Sequence, residues 1–112
     1  MSSTRQHLDL TGTSRELLTV TVPNEIRNGC NIPEFERVVG VPESVIRAMT
    51  MAFRTEPNVA VNREQAIVLR KALNVVMSEL TSEFQTRTGY ELSEAAEVLF
   101  QLDAFIASQG VL

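Results

Sequence analysis

Apolar side chains between residues 62 and 88 recur at the three- and four-residue spacing of one helix face. The members of this stripe are Ala66, Leu69, Leu73, Val76, Leu80 and Phe84. Val68, Ala72 and Val75 widen it to one side. The pattern predicts a helix over residues 62–88 whose apolar surface is too broad for one packing partner. A second neighbour, either another helix of this chain or a second copy, is needed to cover the flank.

A second broad apolar stripe follows Gly89 and predicts a helix over residues 92–109. The inward positions of this helix are predicted to be Leu92, Ala96, Leu99, Leu102 and Ile106, and Val98 and Phe105 widen the stripe. Because the connection of residues 88–92 is short, the two helices are expected to form an antiparallel hairpin. The flanking residues of the two stripes make a candidate interface for self-association, comprising Val68, Ala72, Val75, Val98 and Phe105.

Two short helices are predicted before the hairpin, one ending at Gly40 and one running from Pro42 to a stop before Pro57. Leu18, Val20 and Val22 alternate with threonines, which predicts a minor N-terminal β-strand. Its expected partner is the extended segment of residues 57–61, or else a strand edge of a second subunit.

The predicted fold is therefore mainly α, a small helical bundle with two short helices, a long antiparallel helix hairpin and the minor strand. Residues 1–14 are rich in Ser and Thr without periodicity, so we expect a disordered or loosely ordered tail there. Residues 15–112 are expected to form a single helical domain.

Composition limits the class of protein. The chain is 44% hydrophobic and 21% charged, which is typical of a globular domain with its own core rather than of a disordered chain. No apolar run approaches the roughly 20 residues of a membrane span, and no signal-peptide pattern occurs at the start. We therefore expect a cytoplasmic location and no membrane partner.

The charge of the chain is unevenly distributed. Residues 72–112 contain one basic residue, Arg87, against six acidic residues, whereas residues 1–71 contain nine against eight. An acidic end disfavours nonspecific binding to nucleic acid or anionic lipid through that end and favours a basic partner.

Candidate chemistry is sparse. The chain has one histidine, His7, and one cysteine, Cys30, with no clustered metal-ligand motif and no glycine-rich phosphate loop. We predict no catalytic site, no cofactor and no metal. The carboxylate pairs Glu79 with Glu83 and Glu94 with Glu97 are interpreted as solvated helix faces.

Residues 35–49 read FERVVGVPESVIRAM and resemble a helix-turn-helix of the phage-repressor type. Apolar residues fall where that motif needs them, at Phe35, Val39, Val41, Ile46 and Met49, with Gly40 at the turn. Glu36 departs from the family, which has a small residue at that position. The resemblance implies DNA contacts by Ser44, Arg47 and Arg54.

The function predicted from sequence is that of a small noncatalytic cytoplasmic interaction or regulatory protein. It is expected to act by binding another protein and to form a homodimer. A DNA-binding regulator that uses residues 35–54 is the alternative, and it would need several phosphate-neutralising cations.

Overall fold

The computed structural model describes residues 7–28 and 35–110, which are mainly helical with one small antiparallel sheet. The elements are β1 (Leu8–Leu10), α1 (Gly12–Glu16), a π-helical turn (Leu17–Thr21), α2 (Val22–Asn28), α3 (Phe35–Val39), α4 (Glu43–Arg54), β2 (Val59–Val61), α5 (Arg63–Leu80), a 3₁₀ turn (Thr81–Glu83), α6 (Phe84–Thr88) and α7 (Leu92–Gly110). The predicted fold class, mainly α with a minor N-terminal strand, is confirmed.

The predicted helix hairpin is formed by α5 and α7, which pack along each other. Their antiparallel direction is shown by two cross-helix contacts: Nε of Arg70 lies 2.7 Å from Oδ1 of Asp103, and Nε of Arg63 lies 3.4 Å from the carbonyl oxygen of Ile106. Asn62 caps the start of α5. Its Oδ1 accepts from the Gln65 backbone N–H at 2.8 Å, and the Gln65 side chain accepts from the Asn62 N–H at 2.9 Å.

The prediction of one unbroken helix over residues 62–88 is wrong. Helix α5 ends at Leu80, and Thr81, the first residue of the 3₁₀ turn, has a backbone φ of +41°, which interrupts the helical geometry between α5 and α6. Leu80 and Phe84 are both buried, so the apolar spacing continues across the break and gives no sign of it. Helix α6 ends as expected at Gly89, whose φ of +82° favours glycine.

The predicted strand at Leu18, Val20 and Val22 is also wrong, because these residues are helical. Leu18, Val22 and Ile26 are all buried, and their four-residue spacing places them on one helix face. Thr19 is compatible with the helix because its hydroxyl donates to the Arg15 carbonyl at 2.6 Å. Burial of one face against the core overrides the β propensity of the individual residues.

The π-helical turn ends at Thr21, two residues before Pro23, which has no backbone N–H and cannot donate to the Thr19 carbonyl four residues earlier. Nε of Arg54 in α4 donates to that carbonyl at 3.1 Å. The proline thus accounts for the local change of helix type, and an arginine side chain supplies a donor in its place.

The sheet joins β1 to β2, with Leu8 opposite Val61 and Leu10 opposite Val59. Both Leu10 and Val59 are buried. Residues 57–61 were predicted to be extended and their partner was expected at residues 18–22, but the partner comes from within the predicted tail. Residues 8–14 of that segment form β1 and the start of α1, while residues 1–6 lie outside the described residues.

One ion pair connects distant parts of the helical core. Oε1 of Glu25 in α2 accepts from Nε of Arg87 in α6 at 3.0 Å and lies 2.9 Å from the terminal nitrogen Nη2. The Glu25 side chain is 9% exposed and that of Arg87 is 37% exposed. The contact fixes α6 against α2 after the break at Thr81.

Candidate protein-binding surface

The five residues of the sequence-derived interface lie mostly inside the single chain. Ala72, Val98 and Phe105 are 0%, 3% and 6% exposed, and Val68 and Val75 are half-buried against the same core. The flanks of the two stripes were expected to need a second neighbour, either another helix of this chain or a second copy. Helices α5 and α7 pack on each other, and α2 and α3 pack on α5, so the chain itself buries three of the five positions.

The three candidate DNA contacts lie on α4, where Ser44, Arg47 and Arg54 are exposed. Arg47 forms an ion pair with Glu43 one turn earlier, and Arg54 is engaged by the Thr19 carbonyl. Helix α3 packs chiefly against α5, whereas α4 packs against the π-helical turn and α2. The two helices therefore are not the mutually packed pair of a helix-turn-helix. The Phe35 side chain, like Cys30, lies outside the described residues.

The outer face of α7 carries an exposed apolar stripe that the sequence analysis missed. Its members are Leu92, Ala96, Phe100, Ala104 and Ala107. Phe100 is 72% exposed and Leu92 is 42% exposed. Residues 92 to 107 span about 22 Å along the helix. We call this set the α7 stripe.

Leu92 and Ala96 were predicted to face inward, which is wrong. The buried positions of α7 are Ala95, Val98, Leu102 and Phe105. Phe100 lies two residues after Val98 and two before Leu102, on the opposite side of the helix from both. An aromatic residue at that offset is the sequence signal that could have identified an outer apolar face.

Carboxylates border the α7 stripe. Residues 91–110 contain Glu91, Glu94, Glu97 and Asp103 and no Lys or Arg. Asp103 is paired with Arg70, and Glu94 accepts a hydrogen bond from the Glu91 backbone N–H at 2.9 Å. Glu97 is exposed and has no ion-pair partner within residues 7–28 and 35–110. The outer face of α7 is therefore both apolar and acidic.

A groove lies between α2 and α4, with a cavity volume of about 140 Å³. Pro23 and Asn24 line one side, and Arg47, Met51 and Arg54 line the other. Met51 is 56% exposed. Glu43, the ion-pair partner of Arg47, belongs to the same lining. We call this feature the α4 groove; it combines apolar side chains with two arginines and one glutamate.

Metal and membrane sites find no support in the described residues. Nowhere in them do three His, Cys, Asp or Glu side chains gather in a way that could bind a metal ion. None of the helices that the structure describes is long and apolar enough to cross a bilayer. Comparison of the chain with known protein families, with characterised proteins and with solved structures finds no match.

Proposed function

We propose that this chain is a noncatalytic cytoplasmic interaction protein that binds a protein partner through the α7 stripe. The observation that carries the proposal is the 72% exposure of Phe100 in the middle of a long helix. Scattered exposed apolar side chains are ordinary, but this one lies in line with four others on one helix face. Exposed aromatic residues at the centre of such a face are typical anchors of protein interfaces.

The energetic reason is the apolar surface that a partner would remove from water. Full burial of a phenylalanine side chain stabilises a complex by about 2 kcal/mol. The flanking alanines let a partner helix approach closely, so its side chains can surround the Phe100 ring. A stripe of about 22 Å matches four turns of a helix laid along α7.

The charge around the stripe indicates the chemistry of the partner. Glu97 and Glu94 lie on one side of Phe100, and residues 91–110 have no cation to offset them. A partner surface that carries apolar side chains with Arg or Lys beside them would satisfy both features. An acidic partner, or the phosphates of nucleic acid, would be repelled.

The test is a quantitative affinity purification from the native host with three forms of the full chain: wild type, Phe100→Lys and Gln85→Lys. Position 85 is the matched control, because it is exposed on a different helix, α6, and receives the same charge change outside the stripe and its carboxylates. We expect a protein partner with a basic apolar surface to be retained by wild type and Gln85→Lys and lost with Phe100→Lys. Circular dichroism should show all three equally folded.

Two results would contradict the proposal. One is retention of the same proteins by Phe100→Lys. The other is recovery of nuclease-sensitive nucleic acid that depends on Arg47, which would return the function to α4.

A further inference from the structure

We infer that the partner surface is present on the chain itself: Phe100 of one copy enters the α4 groove of a second copy, so that copies associate head to tail. This inference rests on the proposed function of the α7 stripe and names its partner. It connects the most exposed aromatic side chain among the described residues with a concave surface on a different helix.

The sizes of the two features agree. The α4 groove has a volume of about 140 Å³. A cavity of about 150 Å³ accommodates a benzene ring, so the groove is matched to one phenyl group rather than to a whole helix. Met51 places a thioether at its edge, and sulfur makes favourable contacts with aromatic rings.

The charges agree as well, because the two arginines of the α4 groove outnumber its one carboxylate, Glu43, and leave a net positive charge to meet Glu97. Arg47 and Arg54 lie four residues before and three residues after Met51, and Glu97 lies three residues before Phe100. Three residues of helix rise about 4.5 Å and four rise about 6 Å, so a phenyl ring seated beside Met51 brings Glu97 within reach of an arginine. Each guanidinium has five N–H donors, which leaves donors beyond those used by Glu43 and the Thr19 carbonyl.

The two surfaces belong to different parts of the fold. Helix α7 packs against α5, whereas α4 packs against α2 and the π-helical turn. The α4 groove is lined by residues of α2 and α4 and by none of α7, so the two features meet between copies. A symmetric contact of α7 with α7 would instead bring together two helices that each carry carboxylates and no cation.

A contact between two different surfaces is heterologous, so a pair of copies keeps one free stripe on one copy and one free groove on the other. This property gives a sharp test. Phe100→Lys disables the stripe and leaves the groove intact. Met51→Asp disables the groove and leaves the stripe intact, and the exposure of Met51 permits the change without loss of the fold.

The experiment is analytical ultracentrifugation of purified full-length chains up to about 1 mM, a concentration at which weak association is detected. We expect wild type to rise above the 12.4 kDa monomer mass with concentration and each variant alone to stay at 12.4 kDa. An equimolar mixture of the two variants should associate and stop at a dimer. Gln85→Lys, with the same charge change on α6, should behave as wild type.

Three outcomes would overturn the inference: a wild-type chain that stays monomeric throughout, a Met51→Asp variant that associates as wild type does, or a mixture that does not associate. Failure here is distinguishable from failure of the proposed function. If a different protein is still captured in a Phe100-dependent way, the stripe is an interface and only its partner has been misidentified.

Discussion

Two phenylalanines in this chain have opposite environments and provide a matched test of the structure. Phe84 in α6 is 0% exposed and Phe100 in α7 is 72% exposed. Substitution by alanine removes the same atoms at both positions, so any difference in stability comes from the surroundings. Truncation of a buried phenylalanine costs about 3–5 kcal/mol, because both contacts and a filled cavity are lost.

The expected cost at Phe100 follows from its exposure. The covered fraction of Phe100 is 100 − 72 = 28%. That fraction of the about 3–5 kcal/mol expected for a fully buried phenylalanine is a loss of about 1 kcal/mol in the free energy of unfolding. For a domain of this size each kcal/mol shifts the melting temperature by about 4 °C. Phe84→Ala should therefore lower it by about 12–20 °C and Phe100→Ala by about 4 °C or less.

The assay is thermal unfolding followed by circular dichroism, with urea unfolding as an independent measure of the free energy. It should be run at low and high protein concentration, because association through Phe100 would raise the cost of Phe100→Ala only at high concentration. Equal losses of stability for the two variants at low concentration would contradict the assigned exposure, since they would place Phe100 inside the monomer core.

Three further predictions concern the contacts that hold the helices. Arg87→Ala leaves the buried Glu25 carboxylate without its partner and should lower the free energy of unfolding in urea by about 2 kcal/mol. Asp103→Ala breaks an exposed pair with Arg70 and should lower it by under about 1 kcal/mol. Equal losses for the two variants would contradict the assigned burial of Glu25. Arg54→Met removes the donor to the Thr19 carbonyl and should lower the free energy of unfolding by about 1 kcal/mol. The loss should be smaller in a Pro23→Ala background, where residue 23 has a backbone N–H. A double-mutant cycle without coupling between positions 23 and 54 would contradict this shared role. Asn62→Ala removes the cap of α5 and should lower the free energy of unfolding by about 1 kcal/mol. Asn74→Ala, at an exposed position within α5, should be neutral or slightly stabilising in the same thermal melts. Equal effects of the two substitutions would show that the cap contributes nothing.

The parts of the fold that could be predicted from sequence are those with a local signal. The start of α5 has a local signal in Asn62 and Gln65, whose capping contacts depend only on neighbouring residues. The hairpin followed from two long periodic stripes joined by a short turn. The break at Thr81 was missed because it leaves the apolar spacing unchanged, with Leu80 and Phe84 both buried.

Residues 12–28 show how tertiary packing decides an ambiguous segment. Leu18, Val20 and Val22 alternate as in a strand, yet Leu18, Val22 and Ile26 also recur as in a helix. Position 26 is buried and Val20 is 41% exposed, so the helical period describes the observed burial. Burial against α4 and α5 favours the helix, and no local propensity contains that information.

The candidate surface was missed for a related reason. Helix α7 has apolar residues on two sides, one including Val98 and Leu102 and the other including Ala96 and Phe100. Sequence periodicity identifies both sides but does not say which one meets α5. The acidic character of the C-terminal third was predicted from charge counts alone. Because the α7 stripe lies among those carboxylates, the expected preference for a basic partner applies to this surface.

The most direct test of the account is site-specific photocrosslinking with p-benzoylphenylalanine in place of Phe100, in the full chain expressed in its native host. The residue preserves an aromatic side chain at the centre of the α7 stripe, and the same residue at Gln85, exposed on α6, is the control. The account predicts a crosslink specific to position 100, mapped to a protein segment that is basic and apolar; if copies associate head to tail, that segment includes Met51 of a second copy. Crosslinking no greater than at position 85, or crosslinking to nucleic acid alone, would contradict the assignment of this face as a protein-binding surface.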